Sequence, residues 1–331
     1  MLARICLLVA SVAAVARASD VIFGYLPTWQ LDKAAAIDQS KYTHLSLAFA
    51  IPDESGSISM ENQDDILTNY TSTDRLKSYM VRWIKDYNFD GWDIDFEYPG
   101  RQGDSCHAFD PRLSDEFPDR PLDDVSAFAA SIDFINIMLY DFNGVWSDTT
   151  GPNAPLDFAP GKGLQVSYRS SIQAWIDAGI PPAKINAGLP FYGRTTTAKI
   201  DISKEKDMYQ PLNKQIPKGD GEDLEEADSS CGGPKAFSGV WKYRNLRSEG
   251  VLDSVDSAVS PWVRHFDPET ITPWLFNRET MDFISYDDTL SISAKTQHAM
   301  DKGLAGVMVW PATNDYDNEL LSAIYDTLHQ E

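Results

Sequence analysis

The chain has 331 residues, with 28 Lys+Arg against 50 Asp+Glu, a formal net charge of −22, and 43% hydrophobic and 11% aromatic residues. That apolar share supports a sizeable core and excludes wholesale disorder, and the length allows one large or two medium domains. So acidic a surface repels nucleic acid and anionic membrane, and neither is expected as a partner.

At the N-terminus, Arg4 precedes an apolar stretch from Ile5 to Ala16, and Ala16-Arg17-Ala18 is a small-x-small pattern. Residues 1–18 therefore read as a secretory signal peptide. The apolar stretch is shorter than the roughly 20 residues that span a bilayer, and no other stretch qualifies, so a secreted, extracellular protein without a membrane anchor is expected. Export leaves Cys106 and Cys231, either a disulfide or two separate thiols. Asn69-Tyr70-Thr71 is a possible glycosylation site.

Short apolar β-type runs then alternate with helical patterns. Val21–Tyr25 is the first strand and His44–Ala50 the second. Leu76, Tyr79, Met80, Trp83 and Tyr87 fall on one helical face over 73–87. Phe89–Glu97 reads as a third strand and Ile132–Tyr140 as a fourth. A helix at 168–178 stops at Gly179, with Pro181 just beyond, and Ile185–Phe191 follows as a fifth strand. A helix at 292–302 stops at Gly303, Leu304–Trp310 is a sixth strand, and Leu320, Leu321, Ile324 and Leu328 mark a closing helix. Near-continuous apolar strands between amphipathic helices predict an α/β fold with a parallel sheet. Residues 195–285 differ in texture and are too long for a simple connection, so they read as an inserted subdomain. The expected division is 1–18 signal, 19–194 first part of the main domain, 195–285 insertion and 286–331 last part.

The stretch Asp90-Gly91-Trp92-Asp93-Ile94-Asp95-Phe96-Glu97-Tyr98-Pro99 carries the most chemistry. On a strand, Asp93, Asp95 and Glu97 share one face, each about 6.6–6.8 Å from the last. Mutual repulsion favours retention of at least one proton, and a protonated carboxyl at the strand end is what a general acid requires. A metal site lacks a nearby His, and a solvated edge would not interleave Trp92, Phe96 and Tyr98; catalysis is the favoured reading. No cofactor motif occurs, and none is expected.

The run resembles the DxxDxDxE signature of family 18 glycoside hydrolases, the chitinases and their relatives. Further motifs carry the same resemblance: Gly24-Tyr25 with Trp29, Thr43-His44 with Ala48-Phe49-Ala50, Met138-Leu139-Tyr140-Asp141, Gly144-Val145-Trp146 with Gly151–Pro155, Gly188–Arg194, Ile284–Asp288 and Gly306–Trp310. The resemblance implies a (β/α)8 TIM-type barrel with an α+β insertion between its seventh and eighth strands. Six barrel strands are recognisable, and the family's third and fifth are not found, so an incomplete barrel is expected.

The resemblance also implies residue roles. Glu97 would be the general acid, Asp95 would orient the substrate acetamido group, and Asp93 would share a proton with its neighbours. Tyr140, Asp141, Tyr192, Trp310, Met138, Tyr25, Trp146 and Trp274 would contact the sugar. The implied function is a secreted, monomeric chitinase that hydrolyses β-1,4 linkages of N-acetylglucosamine polymers by substrate-assisted retaining catalysis. The alternatives are a non-catalytic chitin-binding relative, an inactive product lacking two strands, and an endo-N-acetylglucosaminidase acting on N-glycans.

Overall fold

The computed structural model describes residues 20–49, 51–52, 58–59, 73–95, 123–204, 207–227 and 235–330. The signal segment 1–18, Asn69, Glu97, Cys106 and Cys231 lie outside the described residues.

The centre is a parallel sheet of five strands. They are β1 (Val21–Pro27), β2 (His44–Ala48), β3 (Ile135–Ile137), β4 (Ile185–Pro190) and β10 (Gly306–Trp310), in the order β2-β1-β10-β4-β3. The first and last strands of the chain are neighbours, with Val21 opposite Gly306 and Gly24 opposite Val309. That closure, with every pairing parallel, makes the sheet a curled half of a (β/α)8 barrel.

Alternation along the strands sorts the two faces. Ile22, Leu26, Ile137, Ile185, Ala187, Leu189, Val307 and Val309 are buried on the outer face. They belong to one core with Tyr168 and Ile172 of α2 (Tyr168–Asp177), Ile292 and Ala299 of α4 (Thr289–Asp301), and Leu320, Leu321 and Ile324 of α5 (Glu319–Leu328). Each fully buried Ile or Leu contributes about 1.5–3 kcal/mol. Phe23 and Tyr25, on the inner face, are half-buried.

The helices start on reciprocal caps. Ser167 accepts from the Ser170 amide while the Ser170 hydroxyl accepts from the Ser167 amide; Asp288 and Ser291 repeat the arrangement at α4. At α5, Asp315 accepts from the amides of Tyr316, Leu320 and Leu321. Burial outweighs those bonds and pushes its carboxyl up to about 6. A folded pKa above the unfolded value means that Asp315's contribution is complete below about pH 4 and is lost as pH rises through about 6. Asp315→Asn keeps an acceptor but cannot ionise. Its stability relative to the parent should therefore rise by about 2–3 kcal/mol between pH 4 and pH 7, read from urea midpoints.

The carboxylate run differs from the sequence expectation. Among the described residues Phe89–Asp95 pairs with no strand, so the third predicted strand is not formed over these residues. The reason is lateral. A barrel strand at this point needs the family's third and fifth strands as neighbours, and neither occurs among the described residues. Ile51–Pro52 and Ile58–Ser59 form only a two-residue antiparallel hairpin. The run is anchored by side chains instead: Trp92 Nε1 donates to the Met80 carbonyl of α1 (Thr73–Tyr87) at 2.9 Å, and its ring lies 6.0 Å from Trp83. Ile94, which a closed barrel would cover, is 68% exposed.

The insertion is an antiparallel sheet. β5 (Tyr192–Ala198), β6 (Val240–Lys242), β7 (Trp262–Asp267), β8 (Thr272–Asn277) and β9 (Asp282–Ser285) run in the order β6-β5-β9-β8-β7, with Leu212–Asn213 added beside β5 and the short helix α3 (Tyr243–Ser248) following β6. The sequence boundary at 195 falls inside β5, so Tyr192 and Arg194 belong to the insertion's sheet while following directly on β4. Among the described residues, no helix is long and apolar enough to cross a membrane.

Candidate active site

The chemistry-bearing side chains gather at the C-terminal ends of the parallel strands, where (β/α)8 barrels carry their sites. Tyr25, near the end of β1, meets Trp310, the last residue of β10, edge-on at 5.5 Å. Phe49, just beyond β2, lies 5.6 Å from Trp310 and 6.0 Å from Trp29, whose ring is 51% exposed. The aromatics thus form a row from the strand ends toward solvent.

Asp141 lies just past β3, in the left-handed region at φ 61°. An aspartate tolerates that geometry, and its amide is held by Asn153 Oδ1 at 3.1 Å. The carboxylate accepts from the Tyr192 hydroxyl at 2.7 Å and from Arg194 Nε and Nη2 at 2.7 and 2.6 Å. The two-pronged guanidinium contact fixes orientation as well as charge. Arg194 also lies over the Trp146 ring at 5.3 Å and the Tyr192 ring at 5.7 Å. Tyr140 packs edge-on against Tyr192 at 6.0 Å, and its hydroxyl points at Met308 Sδ at 4.0 Å. Burial first, then the adjacent Asp141, holds the Tyr192 hydroxyl protonated well above its ordinary range. Met138 and Trp146 keep exposed surfaces.

The carboxylate run reaches the strand ends through Asp93. The Tyr25 hydroxyl donates to Asp93 Oδ2, and Asn136 Nδ2 lies 2.8 Å from the Tyr25 hydroxyl and 3.4 Å from the same Asp93 oxygen. Burial, then Asp93, raises the Tyr25 pKa far above the ordinary value. Asp95 is exposed, and Glu97 lies outside the described residues. Close approach of β3 and β4 shapes the floor: a Cβ at Gly188 would come within 2.3 Å of the Ile137 carbonyl oxygen.

Trp274 is corrected. It sits on β8 with no exposed surface, stacked 4.2 Å from His265 and packed against Phe283. A strand buried on both faces leaves its ring no side to offer a sugar. Sequence reasoning also passed over three residues. Arg194 stands two places after Tyr192, on the same side of one strand. Asn136 and Asn186 each interrupt an apolar strand, which was the available signal. Among the described residues, no three His, Cys, Asp or Glu side chains converge as a metal site.

This half-barrel, with its aromatic strand ends and Arg-held aspartate, places the chain in the class of (β/α)8-type folds that carry their sites at the C-terminal strand ends. The model of glycosyl hydrolases family 18 matches residues 65–315, and the chain belongs to that family. A chitinase-like effector of Moniliophthora roreri is 29% identical, over 91% of each chain. A chitinase of Rhizomucor miehei superposes with a TM-score of 0.77 at 25% identity, covering 93% of this chain and 99% of that one. A Cycas revoluta chitinase solved with (GlcNAc)4 shares the fold at 18% identity and a TM-score of 0.70, covering 93% and 99%.

Proposed function

We propose that the protein is a secreted, monomeric chitinase that binds N-acetylglucosamine oligosaccharides along the strand ends and hydrolyses their β-1,4 linkages. The observation that carries this is the Tyr25–Asp93 hydrogen bond, which brings the carboxylate run to the aromatic row although its described residues pair with no strand. Trp310 presents a ring to the apolar C–H face of a pyranose. Asp141, oriented by Tyr192 and Arg194, and Tyr140 beside it position the reacting sugar and its acetamido group.

Glu97 donates its proton to the glycosidic oxygen as the bond to the anomeric carbon breaks. The substrate's own acetamido oxygen attacks that carbon and forms an oxazolinium ion, while Asp95 holds the acetamido N–H. Water, deprotonated by Glu97, then opens the ring with retention. Asp93 takes up charge and proton from Asp95 through the cycle.

A second reading, chitin binding without cleavage, is favoured because Phe89–Asp95 forms no strand among the described residues, and because the Moniliophthora relative is named a chitinase-like effector. Titration with (GlcNAc)4 by tryptophan fluorescence, alongside release of reducing ends, separates the two. Binding with cleavage is expected. Binding without cleavage establishes the second reading, and neither overturns both, provided cooperative unfolding shows that the protein is folded.

A further inference from the structure

Asn186 is fully buried in β4 between Ile185 and Ala187, and its Oδ1 has no hydrogen-bond partner among the described residues. A half-satisfied amide in an apolar strand is a standing cost, and an apolar residue there would avoid it. What the amide does supply is a donor. Asn186 faces the barrel interior, directly opposite Asn136 in the parallel register, and its Nδ2 donates to Asn136 Oδ1 at 3.0 Å. That bond sets which way the Asn136 amide points, so Asn136 turns its Nδ2 to the Tyr25 hydroxyl at 2.8 Å. With its oxygen accepting from Asn136, Tyr25 gives its only proton to Asp93. Four side chains from β4, β3, β1 and the carboxylate run therefore form one chain with a single donor direction.

We propose that Asn186 and Asn136 are positioning residues that fix Asp93, through Tyr25, as a hydrogen-bond acceptor at the strand ends. The interior amides do for Asp93 what neighbouring strands would do in a closed barrel: they hold the run in place and set the direction of its hydrogen bond. The effect on turnover rests on the hydrolytic reading above; the effect on Asp93 does not.

The test compares the parent protein with Asn186→Leu and, as a second variant on the sheet edge, Asn136→Leu. The Asp93 carboxyl ¹³C resonance, assigned with Asp93→Asn, is followed at one pH together with kcat, KM for (GlcNAc)4 and melting temperature. The inference expects the Asp93 resonance to shift in both variants. It also expects kcat to fall roughly 3- to 10-fold with KM changed less than about twofold, and the melting temperature of Asn186→Leu to be unchanged or higher. An unmoved resonance in whichever variant folds overturns the inference, whether or not the protein cleaves chitin. A shifted resonance in a protein that cleaves nothing upholds the inference and removes the hydrolytic reading.

Discussion

Glu97→Gln should lower kcat for (GlcNAc)4 by about 10²–10⁴-fold, the range that general acid catalysis contributes, while leaving affinity within about threefold. The amide keeps the size and polarity of the side chain and removes the transferable proton, so the loss belongs to the chemical step. Affinity should be retained because the proposed function assigns binding to other residues, the aromatic row of Tyr25, Trp310, Phe49 and Trp29 and the Asp141–Arg194 pair. Single-turnover assays beside fluorescence titration measure both. A variant that cleaves as fast as the parent would remove Glu97 from the mechanism.

Lys295→Met should cost about 3–5 kcal/mol of stability without touching the cleft. Lys295 Nζ meets Asp287 Oδ1 at 2.5 Å, and both side chains are almost wholly buried. Burial raises the Asp287 pKa and lowers that of Lys295; their pairing is the largest opposing effect, with smaller ones from the Ser291 hydroxyl on Asp287 and from Asp288 on Lys295. Removing the ammonium leaves the carboxylate with the Ser291 hydroxyl on Oδ1 and nothing on Oδ2. Exchanging both members for apolar residues, as in Lys295→Met/Asp287→Leu, should recover most of the loss, because no buried charge is left unpaired. Urea denaturation of the single and double variants measures this; an unchanged midpoint in the single variant would contradict it.

Much of the fold could be read from periodicity. The helices predicted at 73–87 and 168–178 lie at Thr73–Tyr87 and Tyr168–Asp177, since the apolar spacing of each is a local signal and the second also starts on a capping box. Pairing could not be read in this way. Asp93, Asp95 and Glu97 have the alternation of a strand, yet a strand exists only beside another, and among the described residues none lies alongside 89–95. Ile132–Tyr140 shortens to Ile135–Ile137 for a related reason, because among the described residues it has a strand on one side only.

Within the site, Tyr140, Asp141, Tyr192 and Trp310 could be named because each ends a recognisable strand motif. Trp274 could not be sorted from a cleft aromatic, since Thr-Pro-Trp-Leu-Phe-Asn has no polar alternation to mark its buried faces. Asn136 and Asn186 show the converse. Their polarity stands out in the apolar runs Ile-Asn-Ile and Ile-Asn-Ala, but their purpose depends on a register that joins residues 50 apart.

The most direct test of the whole account is the anomeric form of the first product. Cleavage of (GlcNAc)4 followed by ¹H NMR should show the β-anomer appearing before mutarotation, because the acetamido oxygen and then water each invert the same carbon. An α-anomer as first product, or no cleavage by the folded protein, would contradict it.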